Sequence, residues 1–122
     1  MLFAGAKPEF GQQATPVAKA ATTTLTIAEL LTGLITTSGT VAISLTLPTG
    51  TLSDAGITAP ALPVNGCFDW SIVNIGTSAA VVTMVAGTAH TIVGGATLAI
   101  ATSAGFRTRK TAANTFVTYR IR

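Results

Sequence analysis

Charge is what this sequence has least of. Only 9% of its 122 residues are Asp, Glu, Lys or Arg, against about 25% in an ordinary soluble domain. So few charges leave little repulsion to hold copies apart. Much of the surface is therefore expected to be covered, by further copies of the chain or by a larger assembly. Between Asp69 and Arg107 none of these four residue types occurs. That run does not form a membrane helix, which needs about 20 mainly apolar residues. Gly76, Gly87, Gly94 and Gly95 break it, together with several Thr and Ser.

Reactive side chains are equally scarce. The single cysteine, Cys67, excludes a disulfide within the chain. Beside Phe68, it is expected to be a small buried apolar residue. The one histidine, His90, has no second His nearby, and the four carboxylates Glu9, Glu29, Asp54 and Asp69 are scattered. No metal-ligand spacing, phosphate loop or Ser-His-acid set results. The chain reads as a non-enzyme without metal or cofactor. His90, in a Gly-Thr-Ala-His-Thr turn region, is expected to be a surface or hydrogen-bonded residue. Asp69, between Phe68 and Trp70, is expected to pair with an arginine from near the C-terminus. The first residues lack a basic segment followed by an apolar one, the pattern of a secretion signal. The product is expected to stay in the cytoplasm where it is made, or to enter a particle assembled there.

What is abundant is Thr and Ala, with β-branched residues in short alternating runs. VAISLTL (41–47) sets Val41, Ile43, Leu45 and Leu47 on one face, and Pro48 ends it. CFDWSIVNI (67–75) sets Phe68, Trp70 and Ile72 opposite Asp69, Ser71 and Val73. AVVTMVA, the run around Thr91 to Val93, ATLAIAT, FRTRKT and NTFVTYRIR follow, with turn residues between them. Gly94-Gly95 and Ala112 to Asn114 each suggest a hairpin. Short helical turns are expected within Ala28–Ile35 and around Leu52–Ala55. Seven to nine short strands predict an all-β fold over 23–122: an antiparallel β-sandwich or small barrel, jelly-roll-like. Residues 1–22 hold Pro, Gln and isolated apolar residues and read as an extended arm. Phe3, Lys7 and Phe10 are its candidate partner contacts.

Five of the seven basic residues fall within Gly105 to Arg122, where no acid occurs. Arg107 and Arg109 are two apart, as are Arg120 and Arg122, so each pair shares a strand face. Val117, Tyr119 and Ile121 are expected to point to the core, with Phe116, Thr118, Arg120 and Arg122 outward. A short arginine strip would result. Its modest charge and few aromatic neighbours favour contact with protein over nucleic acid.

TLTIAELLTGLI, then VAISLTLPTGTL, then the long block from VNGCFDWSIVNIG to FRTRKTAANTFVTYRI, resemble in order and texture the capsid decoration (cement or head-fibre) proteins of tailed bacteriophages. The resemblance spans about 22–122 and excludes the arm. It implies a small β-rich subunit that forms homotrimers, binds the major capsid protein on the outer surface of the virion head and stabilises the shell. It implies no nucleic-acid, membrane or small-molecule partner. The alternative is a receptor- or carbohydrate-binding β-sandwich of a fibre or adhesin. Sugar sites need exposed aromatic faces, and Trp70 and Tyr119 are both expected in the core.

Overall fold

The computed structural model describes residues 11–122. Ten strands and two short helices follow in order. They are β1 (Val17–Lys19), β2 (Thr23–Thr24), α1 (Ile27–Leu31), β3 (Leu34–Thr37), β4 (Ile43–Thr46), α2 (Gly50–Ala55), β5 (Cys67–Asn74), β6 (Val82–Val85), β7 (His90–Val93), β8 (Thr97–Leu98), β9 (Ser103–Ala112) and β10 (Thr115–Arg120). They make two sheets, one ordered β1-β3-β5-β9-β10-β7 and the other β2-β4-β6-β8. The fold is all-β with minor helix. Part of the expected arm is thus a strand, since β1 pairs with β3.

The chain changes sheet at every step from β1 to β9. A strand and the next but one therefore lie in the same sheet, and early in the chain they run the same way. β1, β3 and β5 form one parallel set, and β2, β4 and β6 the other. The turn signals pointed to antiparallel neighbours, yet five ladders are parallel and three antiparallel. Gly94-Gly95 does not close a hairpin. It carries the chain from β7 in one sheet to β8 in the other. The hairpin expected at Ala112 to Asn114 does form, between β9 and β10. Asn114 takes the positive φ of 56° that the tight turn requires.

Alternation then decides what is buried. In the larger sheet Ile35, Ile72 and Ala104 fall in one row of the register, and Trp70 lies beside Phe106. The Trp70 and Phe106 rings stack with centroids 4.6 Å apart. Ile43, Leu45, Val82, Met84 and Leu98 of the smaller sheet join them in a single core with Leu25, Ile27 and Leu30. Val41, assigned by alternation to the buried face of its run, precedes β4 and is 63% exposed.

Both expected helical turns exist and are capped. Thr26 Oγ1 accepts from Glu29 N–H, and Glu29 Oε1 accepts from Thr26 N–H, a reciprocal box at the start of α1. Thr49 caps α2 in the simpler way. Gly50 is required where it stands, because a Cβ there would lie 2.0 Å from Asn114 O and 2.7 Å from Ala89 O. The start of α2 is thereby pressed against the β9–β10 turn.

Asn74 fastens the far end of the sheets. It is 1% exposed. Its amide donates to Ala80 O, Leu98 O and Ala99 O, and its Oδ1 accepts from Gly76 N–H. Asn74→Leu keeps the volume and leaves those groups without a partner. It is expected to cost about 2–4 kcal/mol, from buried carbonyls and an N–H left unpaired, read as a lower urea midpoint. An unchanged midpoint would show that the amide holds nothing together.

Candidate functional site

The inner side of the larger sheet carries an unusual polar chain. Trp70 Nε1–H donates to Thr108 Oγ1 at 2.9 Å. Thr108 and Thr118 share a 2.8 Å hydroxyl contact, and Thr118 Oγ1 lies 2.7 Å from His90 Nε2. His90 Nδ1 lies 2.8 Å from Pro48 O. A carbonyl can only accept, so Nδ1 carries the proton and Nε2 accepts from the Thr118 hydroxyl. Thr118 in turn accepts from Thr108, which accepts from Trp70. Every donor points the same way, and each group is satisfied only while His90 is neutral.

This relay corrects the expectation for β10. Thr118 and Phe116 are buried, and Val117 and Tyr119 lie on the outer side. The register places Val117 opposite Arg109 and Tyr119 opposite Arg107. Tyr119 is therefore not a core residue. Cys67, paired with Arg109 on the same side, is exposed rather than buried. His90 is not at the surface: it closes the turn from Gly87, opens β7 and is fully buried, a hydrogen-bonded residue through both ring nitrogens as the other expectation had it. Thr118, Thr108 and His90 were missed as a set, because their link is made by strand register and leaves no spacing in the sequence.

The four candidate arginines separate. Arg107 meets Asp69 through two parallel bonds, Nε to Oδ1 at 2.7 Å and Nη2 to Oδ2 at 2.9 Å. This is the expected ion pair. The guanidinium hydrogen bond holds the Asp69 carboxyl below its ordinary range. Arg109 donates from Nε and Nη2 to Tyr119 Oη and from Nη1 to Asn65 Oδ1, with its charge 5.7 Å from the Tyr119 ring centre. Arg122 lies over Gly105, where a Cβ would stand 2.5 Å from Nη2. Arg120 has the parity of Phe116 and Thr118. It turns away to donate to Gly95 O and Thr97 O, tying the crossing between β7 and β8. The strip is thus Arg109, Arg107 and Arg122 on the open face of β5, β9 and β10. Phe3, Lys7 and Phe10 lie outside the described residues.

A second surface has the opposite character. The connections 38–42, 75–81 and 99–102 meet at one end of the molecule, through Thr77 N–H to Gly39 O, Ala79 N–H to Thr40 O and the Asn74 amide. None of the three contains an ionisable residue. Val41, Ile75 and Ile100 are exposed there, beside a shallow groove between Ile75 and Ala101. Nearby, Ser38 N–H donates to the Lys19 carbonyl, and Lys19 sends its ammonium to Glu29, 2.6 Å away.

Among the described residues no group of three His, Cys, Asp or Glu could hold a metal, and no helix is long and apolar enough to cross a membrane. Compared with known protein families, curated proteins and solved structures, the chain matches none.

Burial pushes the His90 pKa down, outweighing the bond to Pro48. The unfolded chain, with an ordinary value near 6.5, binds the proton first. Stability is therefore fully present above that value and falls as the pH drops below it. Melting temperature is expected to hold from pH 8 to 7 and decline towards pH 5, before Asp54 and Asp69, both held low by hydrogen bonds from cationic partners, begin to titrate. His90→Gln should melt lower and lose that slope. A wild-type protein equally stable at pH 5 and 7.5 would disprove the neutral relay.

Proposed function

We propose that this chain is a structural virion protein. It binds the outer surface of a phage head as a homotrimer, contacts the major capsid protein and stabilises the shell. The observation that carries this reading is the uncharged end, where three connections without an ionisable side chain leave Val41, Ile75 and Ile100 in solvent. A chain with net charge +3 can bring copies together there with the least repulsion. The acids Glu29, Asp54 and Asp69 are each taken up by a cation of the same chain. Little charge is left to keep the remaining surface solvated. The order of sequence blocks shared in texture with decoration proteins supports the same reading, as does the two-sheet β architecture. That reading includes a jelly-roll-like sandwich, wound here with parallel as well as antiparallel ladders.

The mechanism is additive. Apolar area contributes about 25 cal/mol per Å² when covered. Three linked subunits rebind before the others let go, so several weak shell contacts act as one strong attachment.

A second reading, a carbohydrate- or receptor-binding module, gains from one observation. Tyr119 stands on the open face beside Arg109 and Asn65, rather than in the core. Saturable binding on a glycan array, lost in Tyr119→Ala, would put this reading first.

Light scattering coupled to size exclusion is expected to give the mass of three chains at micromolar concentration. The double variant Val41→Asp, Ile75→Asp should give one chain with an unchanged strand spectrum and fail to bind phage heads. A wild-type monomer would overturn the reading.

A further inference from the structure

The open face of β5, β9 and β10 holds charge in a definite order. The register sets Arg109 opposite Cys67, Arg107 opposite Asp69 and Gly105 opposite Ser71. Alternate residues on one strand face are about 7 Å apart. Arg122 reaches back over Gly105, in the space that only a glycine leaves there, with Nη2 3.5 Å from Ser71 Oγ. Read along β9, the row is guanidinium, guanidinium–carboxylate pair, guanidinium.

The three cations differ in what they have left to give. Arg107 is neutralised by both Asp69 oxygens. Among the described residues Arg109 is bound only to neutral acceptors, Tyr119 Oη and Asn65 Oδ1, which fix its plane without cancelling its charge. Among the described residues Arg122 meets on this face only a hydroxyl as hydrogen-bond partner, at the limit of such a bond. Arg109, held in place, and Arg122, only lightly held and attracted by Asp69, thus flank the Arg107–Asp69 pair, each about 7 Å from it along the strand. A guanidinium already held in place loses little freedom on meeting a carboxylate.

We infer that this face docks an extended protein segment with carboxylates at positions i and i+4, on Arg109 and Arg122, and a cationic or hydrogen-bond-donating residue at i+2, on Asp69. Alternate side chains of an extended segment repeat with the same spacing of about 7 Å as the row. Asp69 supplies the selectivity. A uniform polyanion, including a nucleic-acid strand, would set its middle group against a pair whose charges already cancel and gain no attraction there, whereas the Asp69 oxygens keep lone pairs for a donor. The inference names the chemistry of a partner and rests on the reading of this chain as one that binds another protein surface.

The test is an NMR titration of the full chain at low salt, following the arginine Nε–H signals. Four probes are used at millimolar concentration: Thr-Thr-Glu-Thr-Lys-Thr-Glu-Thr-Thr, the same peptide with Glu in place of Lys, the same peptide with both Glu replaced by Gln, and oligothymidylate. The Glu-Lys-Glu peptide is expected to move the Arg109 and Arg122 signals and to bind tightest. Arg109→Gln and Arg122→Gln should each weaken it by about fivefold, the worth of one exposed charge pair, at unchanged melting temperature. Asp69→Asn should reverse the order of the first two peptides. No shift with any peptide, equal shifts with the Gln peptide, or tighter binding of oligothymidylate would overturn the inference. A trimer that binds heads but ignores every peptide refutes this docking alone. A monomer that binds the Glu-Lys-Glu peptide refutes the trimer alone.

Discussion

Trp70, Thr108, Thr118 and His90 pass hydrogen bonds in one direction through the inside of the larger sheet, ending on Pro48 O. Successive side chains on a strand must point to opposite sides. Once these four point inward, their neighbours have no choice. Asp69 and Ser71 on β5, Arg107 and Arg109 on β9, Val117 and Tyr119 on β10 and Thr91 on β7 all face out. The outer arginine row is thus a by-product of an inner polar chain. Slipping β9 by a residue would bury Arg107 and Arg109 and break the relay together, so one constraint protects both faces.

The same constraint explains where sequence reading succeeded. β4 and β5 were legible because one face of each is plainly apolar, and the Asp69–Arg107 pair followed from a lone acid facing a basic segment; Ser103 to Gly105 read as a turn but begin β9. β10 misled because its two faces are chemically close. Val117, Tyr119 and Ile121 look more like a core than Phe116 and Thr118 do. The decision was made by the Thr118 hydroxyl, whose two partners come from β7 and β9. Cys67 went wrong by the same parity. Sheet membership was not legible at all. Gly94-Gly95 marks a turn of the chain, but nothing local says whether the next strand returns to the same sheet or crosses to the other.

Charge is handled sparingly throughout. Lys19 holds Glu29, Lys110 holds Asp54 and Arg107 holds Asp69. These pairs sit at joints: β1 against α1, α2 against the β9–β10 hairpin, β5 against β9. Asp54 also accepts from Asn114 N–H, so one carboxylate secures both the helix and the hairpin turn. What remains is a molecule with two unlike surfaces, one built of connections without an ionisable side chain, the other with cations in a fixed order.

Winding between sheets also sets a timetable for a chain made from its N-terminus. β1, β3 and β5 can pair as they emerge, and so can β2, β4 and β6. β7 cannot. Its one neighbour in the sheet is β10, made only after two more strands and the β9–β10 turn. Until Thr115–Arg120 leave the ribosome, His90 has no Thr118 to accept from, and the larger sheet ends at β9. The nascent protein therefore waits with its histidine unhoused, and β7 joins that sheet only in a late step, with β10.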